Sequence, residues 1–154
     1  MADLEQRLAN HSLIGLDTSI FIYHLEGQAT YLPLTREILG RVEAGQCGAV
    51  VSTVTIMELT VHPWRVHRSD VARQYEVLLV NFPHLQLVDV TRDVARKAAQ
   101  LRAQYNLRPA DALQAGTAMI SGATLWVSND KKLKRLEPEI EILILDEYVG
   151  LENN

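Results

Sequence analysis

The residues best suited to chemistry in this chain are four carboxylates spread along its length: Asp17, Glu58, Asp111 and Asp130. Each has an ordinary structural explanation when taken singly. Asp17 can end an apolar run and cap the helix after it, and Glu58 completes a T-x-x-E capping box with Thr55. Asp111, two residues after Pro109, suits the positive end of a helix, as does Asp130 after Ser128. Brought to one place, however, four carboxylates repel one another, and they are tolerated only with divalent cations or with some of them protonated. A ligand set made only of oxygen points to Mg²⁺ or Mn²⁺. The 19 acidic and 15 basic residues give a net charge of −4, so the whole negative excess is equivalent to these four groups.

Whether they can meet depends on the elements that carry them. Apolar runs alternate with helical patterns from end to end, with no linker, low-complexity tract or internal repeat. Strands are expected at Leu13–Leu16, Ala49–Thr53, Leu85–Val88, Thr124–Val127 and Ile140–Leu145. A short helical Ile20–Leu25 runs to the Gly27 breaker, a helix covers Tyr31–Glu43, and another opens at Thr55 and is interrupted by Pro63. Helical periodicity resumes over Ser69–Val80. Thr91 caps a helix whose Val94, Ala95, Ala98, Ala99 and Leu101 share one face, and Pro109 starts a helix that reaches Ile120. A short basic helix runs from Asp130 to Leu136. Strands separated by helices must be parallel for the most part, and such sheets are covered on both faces. The expected fold is therefore α/β, a three-layer α/β/α domain with a mostly parallel central sheet, spanning residues 1–154 as one unit. In such a sheet the ligand site lies outside the carboxyl ends of the strands. Asp17, Glu58 and Asp130 follow strands at that edge, and Asp111 joins them if the start of its helix points the same way.

The segments that carry the acids resemble the PIN-domain ribonucleases, including the VapC-type toxins of bacterial toxin–antitoxin pairs. They are Leu16-Asp17-Thr18-Ser19, the stretch from Ser52 to Leu59, Pro109-Ala110-Asp111-Ala112-Leu113-Gln114-Ala115, and the stretch from Val127 to Leu133, in the family's order over most of the chain. The resemblance implies a PIN-like fold and a metal-dependent ribonuclease. By it, Asp17 and Asp111 are principal ligands of Mg²⁺ or Mn²⁺, Asp130 is a third, and Glu58 is a ligand directly or through water. Ser128 stands where the family has Thr or Ser and would support the Asp130 corner. A divalent ion so held activates water and screens the charge gathering on a phosphodiester, so RNA is cleaved without a covalent nucleophile, with one ion or with two. The resemblance also implies a toxin whose cognate antitoxin blocks the site, and a homodimer formed through the helices around Tyr31–Glu43 and Thr55–Val80.

Two groups of cations are candidates for RNA contact. Lys131, Lys132, Lys134 and Arg135 form the densest basic run, directly after Asp130, and suit backbone phosphates as well as they suit a solvated helix face. Trp64 with Arg65, His67 and Arg68 suits either stacking on single-stranded RNA or a partner surface. The five histidines lack zinc-site spacing and read as surface or packing residues, while Trp126 inside an apolar strand reads as core.

Other functions fit less well. No glycine-rich phosphate loop occurs. A haloacid-dehalogenase-like phosphohydrolase would need a second Asp two residues after Asp17, where Ser19 stands, and a receiver domain would need acids beside Asp17. A non-catalytic PIN-like RNA-binding or scaffold domain is the remaining alternative, and the presence of all four acids weighs against it. The composition, 47% hydrophobic and 22% charged, excludes general disorder, and the single Cys47 excludes an intramolecular disulfide. The opening MADLEQRLANHS puts charges where a signal peptide needs an apolar core, and no apolar run approaches the roughly 20 residues of a membrane span. A cytoplasmic protein with no membrane partner is expected.

Overall fold

The computed structural model describes residues 2–151. Its sheet holds five parallel strands, β1 (Leu13–Leu16), β2 (Gly48–Ser52), β3 (Leu85–Val88), β4 (Leu125–Ser128) and β5 (Glu141–Ile144), in the order β3-β2-β1-β4-β5. Parallel neighbours need long crossovers. These are supplied by helices: α1 (Ala2–Ala9) leads into β1, α2 (Thr18–Glu26) and α3 (Leu32–Glu43) join β1 to β2, and α4 (Val54–Arg65) and α5 (Ser69–Asn81) join β2 to β3. Helices α6 (Arg92–Tyr105) and α7 (Pro109–Ile120) join β3 to β4, and a 3₁₀ helix, Lys131–Leu136, precedes β5.

Side chains alternate across each strand, so the sheet divides the core in two. Ile14, Leu16, Ala49, Val51, Leu125, Val127 and Leu143 pack with Leu4, Leu8, Phe21, Leu34 and Ile38 of α1, α2 and α3. Trp126, Ile142 and Ile144 pack on the opposite side with Ala98 and Leu101 of α6 and Ala112, Ala115 and Ala118 of α7. The result is the expected three-layer α/β/α architecture. Gly15 permits the second layer to close, since a Cβ there would lie 2.6 Å from Ala118 Cβ and 2.7 Å from Trp126 Cε3.

Four local expectations are corrected. Helix α4 continues through Pro63 to Arg65, because the proline falls in the last turn and removes few intrahelical bonds. The same helix starts before Thr55, with Thr53 at its N-cap, so Thr55 and Glu58 do not form a capping box. Instead Thr55 is buried with its hydroxyl 2.9 Å from that of Thr18, and Ser52 Oγ accepts from the Val54 N–H at 3.1 Å. Helix α1 was not expected, since only Leu4 and Leu8 mark its buried face. The basic helix is 3₁₀ and begins at Lys131, with Asp130 as its cap accepting from the Lys132 N–H at 3.0 Å. Among the described residues no helix is long and apolar enough to cross a membrane.

Candidate active site

The strand order reverses between β1 and β4, and the loops that leave their carboxyl ends diverge to open a crevice. Asp17 is the residue after β1, and Ser128 is the last of β4. The Ser128 hydroxyl donates to Asp17 Oδ2 at 2.5 Å and accepts from the Asp130 N–H at 3.2 Å, so one side chain braces two of the acids. Asp17 also caps α2, accepting from the Ser19 N–H at 3.5 Å. Burial pushes its carboxyl up from 3.8 to about 6. The Ser128 bond opposes that rise, and the negative charges of Asp111 and Glu58 add to it.

Glu58 enters from the second turn of α4. Its Oε1 accepts from the Thr18 hydroxyl at 2.9 Å and from the Gln114 amide. Gln114, itself buried, also accepts from the Thr18 N–H at 3.4 Å, tying α2, α4 and α7 together behind the acid. Asp111 sits in the first turn of α7, which Pro109 starts. Its Oδ2 accepts from Arg108 Nε at 3.1 Å, and a second Arg108 nitrogen lies 3.8 Å from Asp130 Oδ2. All four acids line one pocket, together with Thr18, Tyr23, Arg108 and Asn129.

This arrangement gathers hard oxygen donors from four elements, the donor chemistry that Mg²⁺ and Mn²⁺ require. The Asp17 carboxyl is raised chiefly by its burial, with the charges of Asp111 and Glu58 adding to the rise, and a bound cation would offset both. Among the described residues no three His, Cys, Asp or Glu side chains stand close enough to hold one ion as they are placed. Glu58 is hydrogen-bonded to Thr18 and Gln114, and Asp111 and Asp130 face Arg108. The residues fit a divalent cation by donor type and by sharing one pocket.

The cations expected to meet RNA divide. Lys132 and Arg135 line a second pocket that shares Arg108, Asp111 and Asp130 with the first. Lys131 lies 4.0 Å from Asp146, and Lys134 pairs with Glu147, so both are turned toward the segment after β5. Arg65 is exposed at the end of α4, away from the acid pocket. Arg68 pairs with Asp70 at 3.0 Å and borders an apolar groove between α2, α4 and α5. Sequence reasoning missed Thr18, Gln114 and Arg108. Gln114 lies one helical turn after Asp111, a spacing that puts both on one face of α7 and is the only sequence signal for it.

Comparison with known proteins adds three findings. A family model described as the PIN domain matches residues 14–138. Among solved structures, VapBC2 from Rickettsia felis bound to a DNA fragment from its promoter matches with a TM-score of 0.66 at 18% identity, over 86% of this chain and 98% of that one. DNA-bound VapBC from Salmonella typhimurium matches with 0.64 at 22% identity, and a toxin–antitoxin complex from Klebsiella pneumoniae with 0.63 at 20%, each over 86% of this chain and 97% of the other. At these identities the likeness establishes a shared fold. A search of curated proteins finds no significant match.

Proposed function

The chain belongs to the PIN-domain family, and from that premise we propose that it is a ribonuclease that hydrolyses RNA phosphodiester bonds with Mg²⁺ or Mn²⁺. The observation that carries this reading is the single pocket bordered by Asp17, Glu58, Asp111 and Asp130 at the point where the strand order reverses. Asp17, Asp111 and Asp130 would hold the ion, with Glu58 completing the set directly or through water. Bound there, such an ion would stabilise charge building on the phosphodiester oxygens and lower the pKa of an attacking water.

The chain's own residues do the remaining work. Ser128 fixes the Asp17 carboxylate by donating to Oδ2, so that this ligand loses little freedom on binding. Thr18 and Gln114 hold Glu58 Oε1 by two donated hydrogen bonds and set which oxygen is left to face the pocket. Lys132 and Arg135 stand where RNA backbone phosphates would pass on the Asp130 side.

Two partners belong to the same proposal. The fold neighbours are toxin–antitoxin assemblies, which supports a toxin role with a cognate antitoxin. The apolar groove between α2, α4 and α5 shares Ile22 and Glu58 with the acid pocket, so a partner segment seated there would crowd the entrance for RNA. Exposed Met57, Val61 and Trp64 follow one another along α4 and supply an apolar stripe suited to a homodimer.

Cleavage of a single-stranded RNA in Mn²⁺ tests the reading. The parent should cut, a chelator should stop it, and Asp17→Asn should abolish cutting while RNA stays bound. Binding without cutting by the parent would favour the scaffold alternative, and equal cutting by Asp17→Asn would refute the assigned site.

A further inference from the structure

The positive charge nearest the four acids is supplied by the chain itself. Arg108 Nε donates to Asp111 Oδ2 at 3.1 Å, and its Nη2 lies 3.8 Å from Asp130 Oδ2. An Arg–Asp pair three residues apart on a helix surface is ordinarily of small consequence. This one differs in reaching a second acid from a distant element, and the field of Glu58 also acts on the guanidinium. The side chain of Arg108 is 79% exposed against 16% for Asp111, so it approaches the acids from solvent and can leave them with little loss of packing. Arg108 and the two acids border both pockets, and the second pocket adds Lys132, which forms no side-chain hydrogen bond or ion pair among the described residues. A divalent cation and a guanidinium need the same carboxylate oxygens, and like charges a few ångströms apart oppose each other.

We propose that Arg108 is an exchangeable counter-ion of the site, which pairs with Asp111 and Asp130 until a divalent cation takes their oxygens, and then holds with Lys132 a phosphate of the bound RNA. The planar fork of a guanidinium matches phosphate as well as it matches carboxylate, so the same side chain suits both partners. The phosphate half rests on the ribonuclease reading. The counter-ion half depends only on the cation and the acids.

The test uses the full chain, freed of divalent ions by chelation, as the parent, Arg108→Gln and Arg108→Lys. Calorimetric titration with Mn²⁺ alone should show Arg108→Gln binding about three- to tenfold more tightly than the parent, with Arg108→Lys close to the parent. Anisotropy with a 12-nucleotide single-stranded RNA in Mn²⁺, read before cutting proceeds, should then show the reverse. Arg108→Gln should bind more weakly, and its affinity should depend less steeply on salt, by about 0.7 in the log–log slope. Unchanged or weaker Mn²⁺ binding by Arg108→Gln overturns the proposal. Tighter Mn²⁺ binding with an unchanged RNA salt slope overturns its phosphate half. A parent that bound no RNA would sink the ribonuclease reading and that half with it, while the Mn²⁺ titration would still decide the counter-ion half.

Discussion

The Asp17 carboxyl is pushed up by burial and by two neighbouring carboxylates, while the Ser128 hydroxyl and the Ser19 N–H oppose the rise. Its folded value, about 6, lies above its ordinary 3.8, so the folded state binds the proton more tightly than the unfolded chain does. This group's contribution is thus fully present below its ordinary value and is lost as pH rises through the folded one. In protein freed of divalent ions, Asp17→Asn should remove that dependence and be the more stable form at pH 7.5, by on the order of 3 kcal/mol at the usual 1.36 kcal/mol per pKa unit. Urea unfolding of both forms at pH 4.5 and 7.5 checks it, and a difference that does not grow with pH contradicts it. Asp17, Asp111 and Asp130 were visible in the sequence because each sits at an element boundary that apolar patterning marks, whereas Glu58 was singled out by a capping-box spacing that the helix does not use. Thr18 and Gln114 were not visible, since each acts on an oxygen delivered by another element, and of Arg108 only the local spacing to Asp111 was on view, not its approach to Asp130. Ser128 was visible as a support for Asp130, but its stronger bond to Asp17 follows from β1 and β4 lying side by side.

At the level of elements, boundaries were legible where a residue with a backbone reason marks them. Thr91 accepts from the Val94 N–H at 3.2 Å and starts α6, and Pro109 opens α7, as their chemistry requires. The start of α4 was misread because Thr55 and Glu58 have capping-box spacing, yet Thr55 is used instead to reach Thr18. Gly15 shows the opposite case, a residue whose purpose appears only when α7 and Trp126 come against β1. Gly15→Ala should lower stability by about 1–3 kcal/mol, read as a fall in melting temperature, because neither Ala118 nor buried Trp126 can yield easily. A variant as stable as the parent would mean that the two layers approach less closely than described. The 3₁₀ helix sorts the basic run by direction, with Lys132 toward the acids and Lys134 toward Glu147. Lys132→Ala should therefore weaken RNA binding and flatten its salt dependence, and Lys134→Ala should do neither. Equal effects would return the run to a diffuse basic surface.

At the scale of the molecule, five short parallel strands were legible from the alternation of apolar runs and helical patterns, and their order was not, because lateral neighbours depend on how the crossovers pack. That order places β1 beside β4 and so brings residues 17 and 130 into one crevice. The proposed homodimer belongs to this scale. Light scattering at micromolar concentration should give twice the chain mass, and Trp64→Asp, which puts a charge in the exposed stripe of α4, should shift it toward the single chain. A monomeric parent would remove the dimer and leave the nuclease reading intact. If the four acids close on a divalent cation, an anomalous difference map from a crystal soaked in Mn²⁺ will show where it sits. A peak is expected about 2.2 Å from carboxylate oxygens of Asp17 and Asp111, with Asp130 drawn toward it and Arg108 moved away. A map with no peak between Asp17 and Asp111 at saturating Mn²⁺, or with its only peak elsewhere on the chain, would contradict it.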